Sequence, residues 1–152
     1  MFYTERLCLR GLQQGDTENI IAMETDPRVT PNIFLKYWRP AKPDFGEEIK
    51  KRWDNSIWSA VVVTRESNEF VGVLGLGSPP DTPNRNALLA ICVAPEQWNK
   101  GYGAEMLRFL LKHAFLELGM HKVWLQVHAE NASAVALYKK WWVQNYLSGT
   151  EV

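Results

Sequence analysis

Two glycines in the run Gln97-Trp98-Asn99-Lys100-Gly101-Tyr102-Gly103-Ala104 stand where an apolar, strand-like segment at 90–95 gives way to a helical pattern. Glycine lacks the β-carbon that would hold a ligand off the backbone, and the first N–H groups of a helix have no intrahelical acceptor, so this spacing suits a cradle for a diphosphate. The same residues also suit a plain strand-to-helix turn, and spacing alone leaves both readings open. Two other phosphate loops fit poorly. A Walker A loop carries its lysine after the second glycine and then Ser or Thr, whereas Lys100 precedes both glycines. A dinucleotide fingerprint needs a small residue at its sixth position, where this chain has Met106, and an acidic residue ending the next strand, which it lacks.

The elements that must hold this motif follow from hydrophobic period and capping residues. Residues 5–12 alternate, with Leu7 and Leu9 on one face, as a first strand does. Asp16 is placed to cap a helix over 17–24, which Asp26-Pro27 stops because the residue before a proline avoids helical angles. Residues 29–43 hold three prolines among bulky side chains and read as an ordered loop, with Phe34, Tyr37 and Trp38 available as an aromatic wall for a substrate. Asp44 and Glu47 make a capping-box-like start for a second helix that carries Phe45, Ile49 and Trp53 at helical spacing and ends near Ser56. Strands at 58–64 and 70–76 pair as a hairpin through the polar turn at 65–68, and a fourth strand at 87–93 follows the proline-containing loop at 78–86. Ala104, Leu107, Leu111, Ala114 and Leu118 share one helical stripe that Gly119 closes. A fifth strand over 123–127 and a last helix from 132 to about 141, capped by Asn131, complete the order βααβββαβα. The fold class is α/β (α+β), and 1–152 is expected to be a single domain.

A chain of 152 residues, 46% of them hydrophobic, can bury a core without disulfides or metal. Its 17 basic residues balance its 17 acidic ones without runs of either sign, so nothing draws it to nucleic acid or an anionic membrane, and an anionic ligand must be held locally. The first residues lack the pattern of a signal peptide and no apolar run reaches spanning length, so a soluble, cytoplasmic protein is expected. Cys8 and Cys92 each lie in an apolar run without CxxC spacing or a nearby His pair, which predicts buried thiols and no metal site.

The runs AICVAPEQWNKGYGAEMLRFLLKHAF and HKVWLQVHAENASAVALYKK resemble motifs A and B of the GNAT superfamily of acetyl-CoA-dependent N-acetyltransferases. The W-x-K-G-Y-G form and the opening TERLCLRGLQQGD are similar to the ribosomal-protein N-acetyltransferase (RimJ/RimL-like) branch. The resemblance spans residues 4–140 and implies a mixed, mostly antiparallel sheet with helices on both faces. In similar proteins the fourth strand splays from the fifth and pairs with the pantetheine arm of acetyl-CoA, here through Ile91, Cys92 and Val93. The pyrophosphate then rests on the amides of Trp98, Asn99, Lys100, Gly101, Tyr102, Gly103 and Ala104. Lys100 either reaches a phosphate or stands solvated as surface lysines commonly do, and Trp98, standing where many relatives have Gln or Arg, packs beside the ligand. Asn131 matches the asparagine beside the cofactor, and Tyr138 the tyrosine that protonates the departing thiolate.

The implied reaction is direct attack of an amine on the acetyl thioester, with a protein N-terminal α-amine or a small amine such as a polyamine as acceptor. The family's strand-four glutamate is absent, since residues 87–90 read Ala-Leu-Leu-Ala, which leaves His128, Glu130 or solvent to take the amine's proton. A CoA-binding sensor or interaction module without turnover is the alternative that the same motifs allow. After LYKK the family continues with a Gly-Phe pair and further strands, whereas this chain reads WWVQNYLSGTEV. One or two last strands are therefore expected to be missing, leaving an edge through which the chain could form a homodimer.

Overall fold

Leu7 and Leu9 enter one hydrophobic core and Cys8, between them, enters another, as the two-residue period of a strand requires. A computed structural model describes residues 1–33, 40–77, 84–125, 127 and 130–146, with the backbone alone at 32, 33 and 142–146. Its strands are β1 (Phe2–Tyr3), β2 (Leu7–Arg10), β3 (Ser56–Thr64), β4 (Phe70–Gly77), β5 (Asn86–Val93) and β6 (Lys122–Trp124). Its helices are α1 (Asp16–Glu24), the single turn α2 (Thr30–Ile33), α3 (Phe45–Asp54), α4 (Tyr102–Lys112) and α5 (Ala132–Tyr146), with a 3-10 turn at Pro95–Gln97 and a π turn at His113–Glu117.

The six strands lie in sequence order, antiparallel from β1 to β5, and only β5 and β6 are parallel. Met106, Leu107 and Leu110 of α4 pack on Leu9, Val62, Leu76 and Val123, with Leu137, Tyr138 and Trp141 of α5 against the same core. Ile20 of α1 and Ile49 of α3 cover Cys8, Val61 and Val63 on the opposite face. The mixed sheet with helices on both faces is the predicted architecture.

Several boundaries differ from the sequence reading, each for a local reason. Strand β1 is only two residues long, too short to show a period, and is held by pairing Phe2 with Leu9 and Tyr3 with Cys8. Asp16 lies inside the first turn of α1 instead of capping it. Gly15, at φ 90, takes the cap position, and the Asp16 carboxylate accepts the Gln13 N–H at 2.7 Å and both Arg10 guanidinium donors at 2.6 and 3.1 Å. Asp44 does precede α3, but its backbone carbonyl receives the Glu47 and Glu48 N–H groups and its side chain makes no cap. The loop predicted at 29–43 contains α2, and Phe34, Tyr37 and Trp38 fall outside the described residues, as does most of the loop at 78–86. Strand β6 stops at Trp124, short of the predicted 127. Among the described residues no strand pairs with its outer edge, and no described helix is long and apolar enough to cross a membrane.

The helical stripe after the glycines is interrupted where the sequence showed one continuous face. At His113 an extra residue enters the turn, so that the Leu118 N–H bonds the His113 carbonyl at 3.0 Å, and Gly119 at φ 64 ends the segment as predicted. The π turn sets His113 among Phe2, Trp58 and Phe109, with ring centroids 4.9, 5.0 and 5.4 Å away. Its Nε2 is buried and has no hydrogen-bond partner among the described residues. Burial holds this imidazole below its ordinary range, against a smaller upward pull from Glu117. The unfolded chain binds a proton here near pH 6.5, while the folded state resists it. Stability from this group is therefore present above that pH and is lost as the pH falls toward the folded value. Thermal melting between pH 7 and pH 5 is expected to show this decline, and His113→Phe, which fills the same aromatic box without a titrating group, to flatten it. An equally steep decline in the variant would assign the effect elsewhere.

Candidate active site

The site is built on an unequal β5. On the β4 side its ladder is complete, from Leu88 opposite Gly77 to Val93 opposite Gly72, and the Ala94 N–H continues it to the Val71 carbonyl at 2.8 Å. On the other side, pairing with β6 ends at Leu88 and Trp124. Backbone groups alternate along a strand, so with Ala94 turned toward β4, Leu89, Ile91 and Val93 face away from it; the Leu89 N–H belongs to the last rung of the β6 ladder, and the N–H and C=O of Ile91 and Val93 face the open side. Among the described residues β6 ends at Trp124, and no described strand continues the pairing along this stretch.

Of the three residues expected to meet a pantetheine arm, the structure turns two toward the gap. The backbone of Ile91 and Val93 faces it, whereas Cys92 lies opposite Val73 with its backbone directed to β4. The Val93 carbonyl already accepts the indole Nε1–H of Trp98 at 2.8 Å. Trp98 thus lies at the end of β5 and occupies one acceptor there. The Cys92 thiol is pushed up to about 12, first by burial and then by the charge of Glu24, with Arg52 opposing, which makes it an inert wall and not a nucleophile.

Past β5 the chain turns through Pro95–Gln97 into the glycine motif. Asn99 at φ 61 and Gly101 at φ 80 are both left-handed, and such alternation gathers successive N–H groups into an anion-binding hollow. Gly101 is the N-cap of α4, so the hollow opens at the positive end of that helix. The Trp98 N–H is engaged with the Pro95 carbonyl at 3.2 Å, so the cradle's donors begin at Asn99. Lys100 directs its ammonium to Gln97 Oε1 at 2.9 Å, within the turn itself. Gly103 needs no unusual backbone angle. A β-carbon there would lie 3.7 Å from Leu137 Cδ2 and 3.9 Å from Val93 Cγ2, which is ordinary packing distance.

Those two contacts bring α5 to the end of β5. Asn131 caps α5 by accepting the Ala134 N–H at 3.3 Å. Tyr138, beside Leu137, packs on the core near Cys92, and its phenol is pushed up to about 12, chiefly by burial and further by the Cys92 thiol. A phenol held in that range keeps its proton at neutral pH and can donate it. Glu130 lies exposed before α5, and His128 falls outside the described residues.

Two groups near this site were missed in the sequence. Glu24, 4% exposed at the end of α1, is bonded by Arg52 at 2.7 Å and acts electrostatically on Cys92. Its spacing of four from Ile20 on the apolar face was the available signal. Arg6 reaches the glycine loop itself, donating from Nη1 to the Lys100 carbonyl at 2.7 Å. Nothing in its own strand's period points across the molecule to residue 100.

An open strand edge, a hollow of amides at a helix N-terminus and a protonated phenol on α5 fit an acyl-CoA thioester. The acetyltransferase (GNAT) domain family matches residues 6–141, and the chain belongs to that family, acyltransferases that use acetyl-CoA. It is similar to the spermidine N(1)-acetyltransferase of Vibrio cholerae serotype O1, with 26% identity over 139 residues that cover 89% of this chain and 77% of the relative. It also superposes on the crystal structure of the spermidine N-acetyltransferase from Vibrio cholerae in complex with CoA and spermine, with a TM-score of 0.76 at 27% identity over 90% of this chain and 80% of that one. A dodecameric structure of the spermidine N-acetyltransferase from Vibrio cholerae in an intermediate state matches with a TM-score of 0.67 at 27% identity, covering 90% and 78%. The family is carried by these matches, while the ribosomal-protein branch suggested by the W-x-K-G-Y-G form is a finer assignment that they do not reach. Among the described residues no cluster of His, Cys, Asp or Glu could hold a metal.

The two glycines are expected to behave differently when replaced by alanine. Gly101→Ala forces a left-handed angle on a residue with a β-carbon, at a cost of about 1–2 kcal/mol, and so should lower the melting temperature and shrink the additional stabilisation that CoA confers. Gly103→Ala should melt at or slightly above the wild-type temperature, because its β-carbon is accommodated and alanine favours a helix. Melting curves with and without CoA test both, and a tolerant position 101 would remove the backbone argument for the cradle.

Proposed function

We propose that the protein transfers an acetyl group from acetyl-CoA to a primary amine of a small polyamine-like cation by direct attack of the amine. The observation that carries this reading is the backbone of Ile91 and Val93 that no described strand covers, at the end of β5 that leads into the glycine loop. When bound, acetyl-CoA supplies an activated acetyl thioester. The chain's own parts would hold it: the Ile91 and Val93 backbone along the arm, and the Asn99–Ala104 amides, with Gly101 and Gly103, at the diphosphate. Tyr138, protonated at neutral pH, is the group to donate a proton to a departing thiolate.

On the acceptor side, the choice of a small cation over a protein N-terminus is supported by the relatives' names. The expected test is thiol release from acetyl-CoA, followed colorimetrically with spermidine, spermine and an unblocked peptide as acceptors. Turnover with the polyamines above the peptide supports the reading, and the reverse order would move it to a protein α-amine.

The second reading, a CoA-binding module without turnover, is favoured by one feature: residues 87–90 of β5 contain no titratable group to take the amine's proton. Tyr138→Phe distinguishes the two. For an enzyme it should lower kcat by about 10²–10⁴-fold with CoA affinity nearly unchanged, whereas a binding module shows no thiol release in either form.

Self-association belongs to this proposal as well, because β6 offers an outer edge that no described strand covers, and such edges pair with other chains. Sedimentation over a concentration series should show assembly. A fully active monomer at the lowest concentration would sink this part alone.

A further inference from the structure

The hollow at Asn99 and Gly101 is gripped from behind by the start of the chain. Arg6, just before β2, uses its whole guanidinium. Nη1 donates to the Lys100 carbonyl at 2.7 Å, Nε to Glu105 Oε2 at 2.7 Å, and the plane lies over the Tyr102 ring, 4.7 Å from its centre. Glu105, in the first turn of α4, also accepts the Arg6 backbone N–H at 2.8 Å and the Thr4 hydroxyl at 2.5 Å. Its own N–H bonds the Gly101 carbonyl at 3.2 Å. The Arg6 carbonyl in turn accepts the Arg65 N–H at 2.9 Å, which fixes Arg6 to the sheet. A β-carbon on Gly101 would come within 3.3 Å of Arg6 Nη2, so the glycine also makes room for this clamp.

The peptide unit at the centre of the grip decides what the clamp does. No cis peptide occurs among the described residues, so the C=O of Lys100 and the N–H of Gly101 point in opposite directions from one plane. With Arg6 on the carbonyl side, the Gly101 N–H is aimed away from Arg6 and into the hollow. A cation bonded to the carbonyl also polarises the peptide, making that N–H a stronger donor. Holding the loop beforehand removes an ordering cost that the ligand would otherwise meet on binding. Asn99, a non-glycine in a left-handed angle, shows that the loop does not adopt this shape without cost.

We propose that Arg6, braced by Glu105 and Thr4, is a positioning residue for the diphosphate of acetyl-CoA. It touches the back of the cradle and not the ligand, setting the direction of the Gly101 N–H. This rests on the acetyl-CoA reading above. A salt bridge that merely ties the N-terminus to α4 would lower stability when lost but would not care which donor is bound.

The test compares acetyl-CoA with S-acetylpantetheine, which carries the same thioester and arm without the diphosphate. Arg6→Gln is expected to weaken CoA binding in calorimetry by roughly tenfold, the worth of one charge-assisted hydrogen bond. The ratio of kcat/KM for acetyl-CoA over kcat/KM for S-acetylpantetheine should fall by a similar factor. Because both donors meet the same folded fraction, that ratio is insensitive to partial unfolding. Arg6→Lys, which keeps the charge but not the fork that spans Glu105 and Lys100, should fall between the two. Equal losses for both donors, or unchanged CoA affinity in folded Arg6→Gln, would overturn the role of Arg6 alone. A wild-type protein that does not prefer acetyl-CoA to the short donor would overturn the diphosphate cradle, and the role of Arg6 with it.

Discussion

From Ala90 to Val93 the backbone is paired with β4 on one side, and among the described residues no strand pairs with its other side once β6 ends at Trp124. Backbone N–H and C=O groups need hydrogen-bond partners, and on this partly exposed stretch water or a bound molecule can supply them. The Trp98 indole takes one of these groups, the Val93 carbonyl. The rest of the site is arranged around the remainder. The 3-10 turn and glycine loop leave from the end of β5, and α5 returns to the same end through the proximity of Leu137 to Gly103. Tyr138 thereby stands beside the open edge without belonging to the sheet.

The candidate hollow carries little side-chain charge. Lys100 is turned into its own loop toward Gln97, and Arg6 is turned to the far side of the loop toward Glu105. What faces the hollow is a set of backbone N–H groups at a helix N-terminus, whose partial charges are fixed in direction and need no side chain to be ordered. This agrees with a chain in which acidic and basic residues balance, since binding through oriented amides requires no long-range positive field. Glu105 shows the strength of the arrangement behind the loop. Burial alone would raise its carboxyl, yet the bonds from the Thr4 hydroxyl, the Arg6 N–H and the Arg6 guanidinium more than reverse this and hold it low.

The opposite face of the sheet has its own buried charges. Asp16 with Arg10 fastens the start of α1 to β2, and Glu24 with Arg52 fastens its end to α3. Each carboxylate is nearly inaccessible, and removal of one partner would strand a charge in the interior, which is far more costly than loss of a surface pair. The Glu24 pair does more than join helices, because it lies within electrostatic reach of Cys92 on β5. Through β5 it is connected to the same strand that carries the open edge.

Hydrophobic period alone determined the strands at β2 to β5 and the helices α1, α3 and α4, because each buries one face against a single sheet and a buried face leaves its period in the chain. Glycine spacing at 101 and 103, together with motif resemblance, also singled out the candidate cradle and Tyr138. The tertiary structure decided what no local pattern encodes. Strand β1 exists only through its pairing with Leu9 and Cys8, and the π turn at His113 shifts a helix whose apolar stripe reads as continuous. Asp16 was legible as a cap by its type, but the guanidinium of Arg10 reaches it inside the first turn. The direction of each β5 amide, the diversion of Lys100 to Gln97 and the grip of Arg6 on a carbonyl at residue 100 depend on distances between segments far apart in the chain. A sequence records which groups are present and how they repeat. Where a donor finally points is set by the packed neighbours that hold it, and those are chosen only when the sheet and helices close around them.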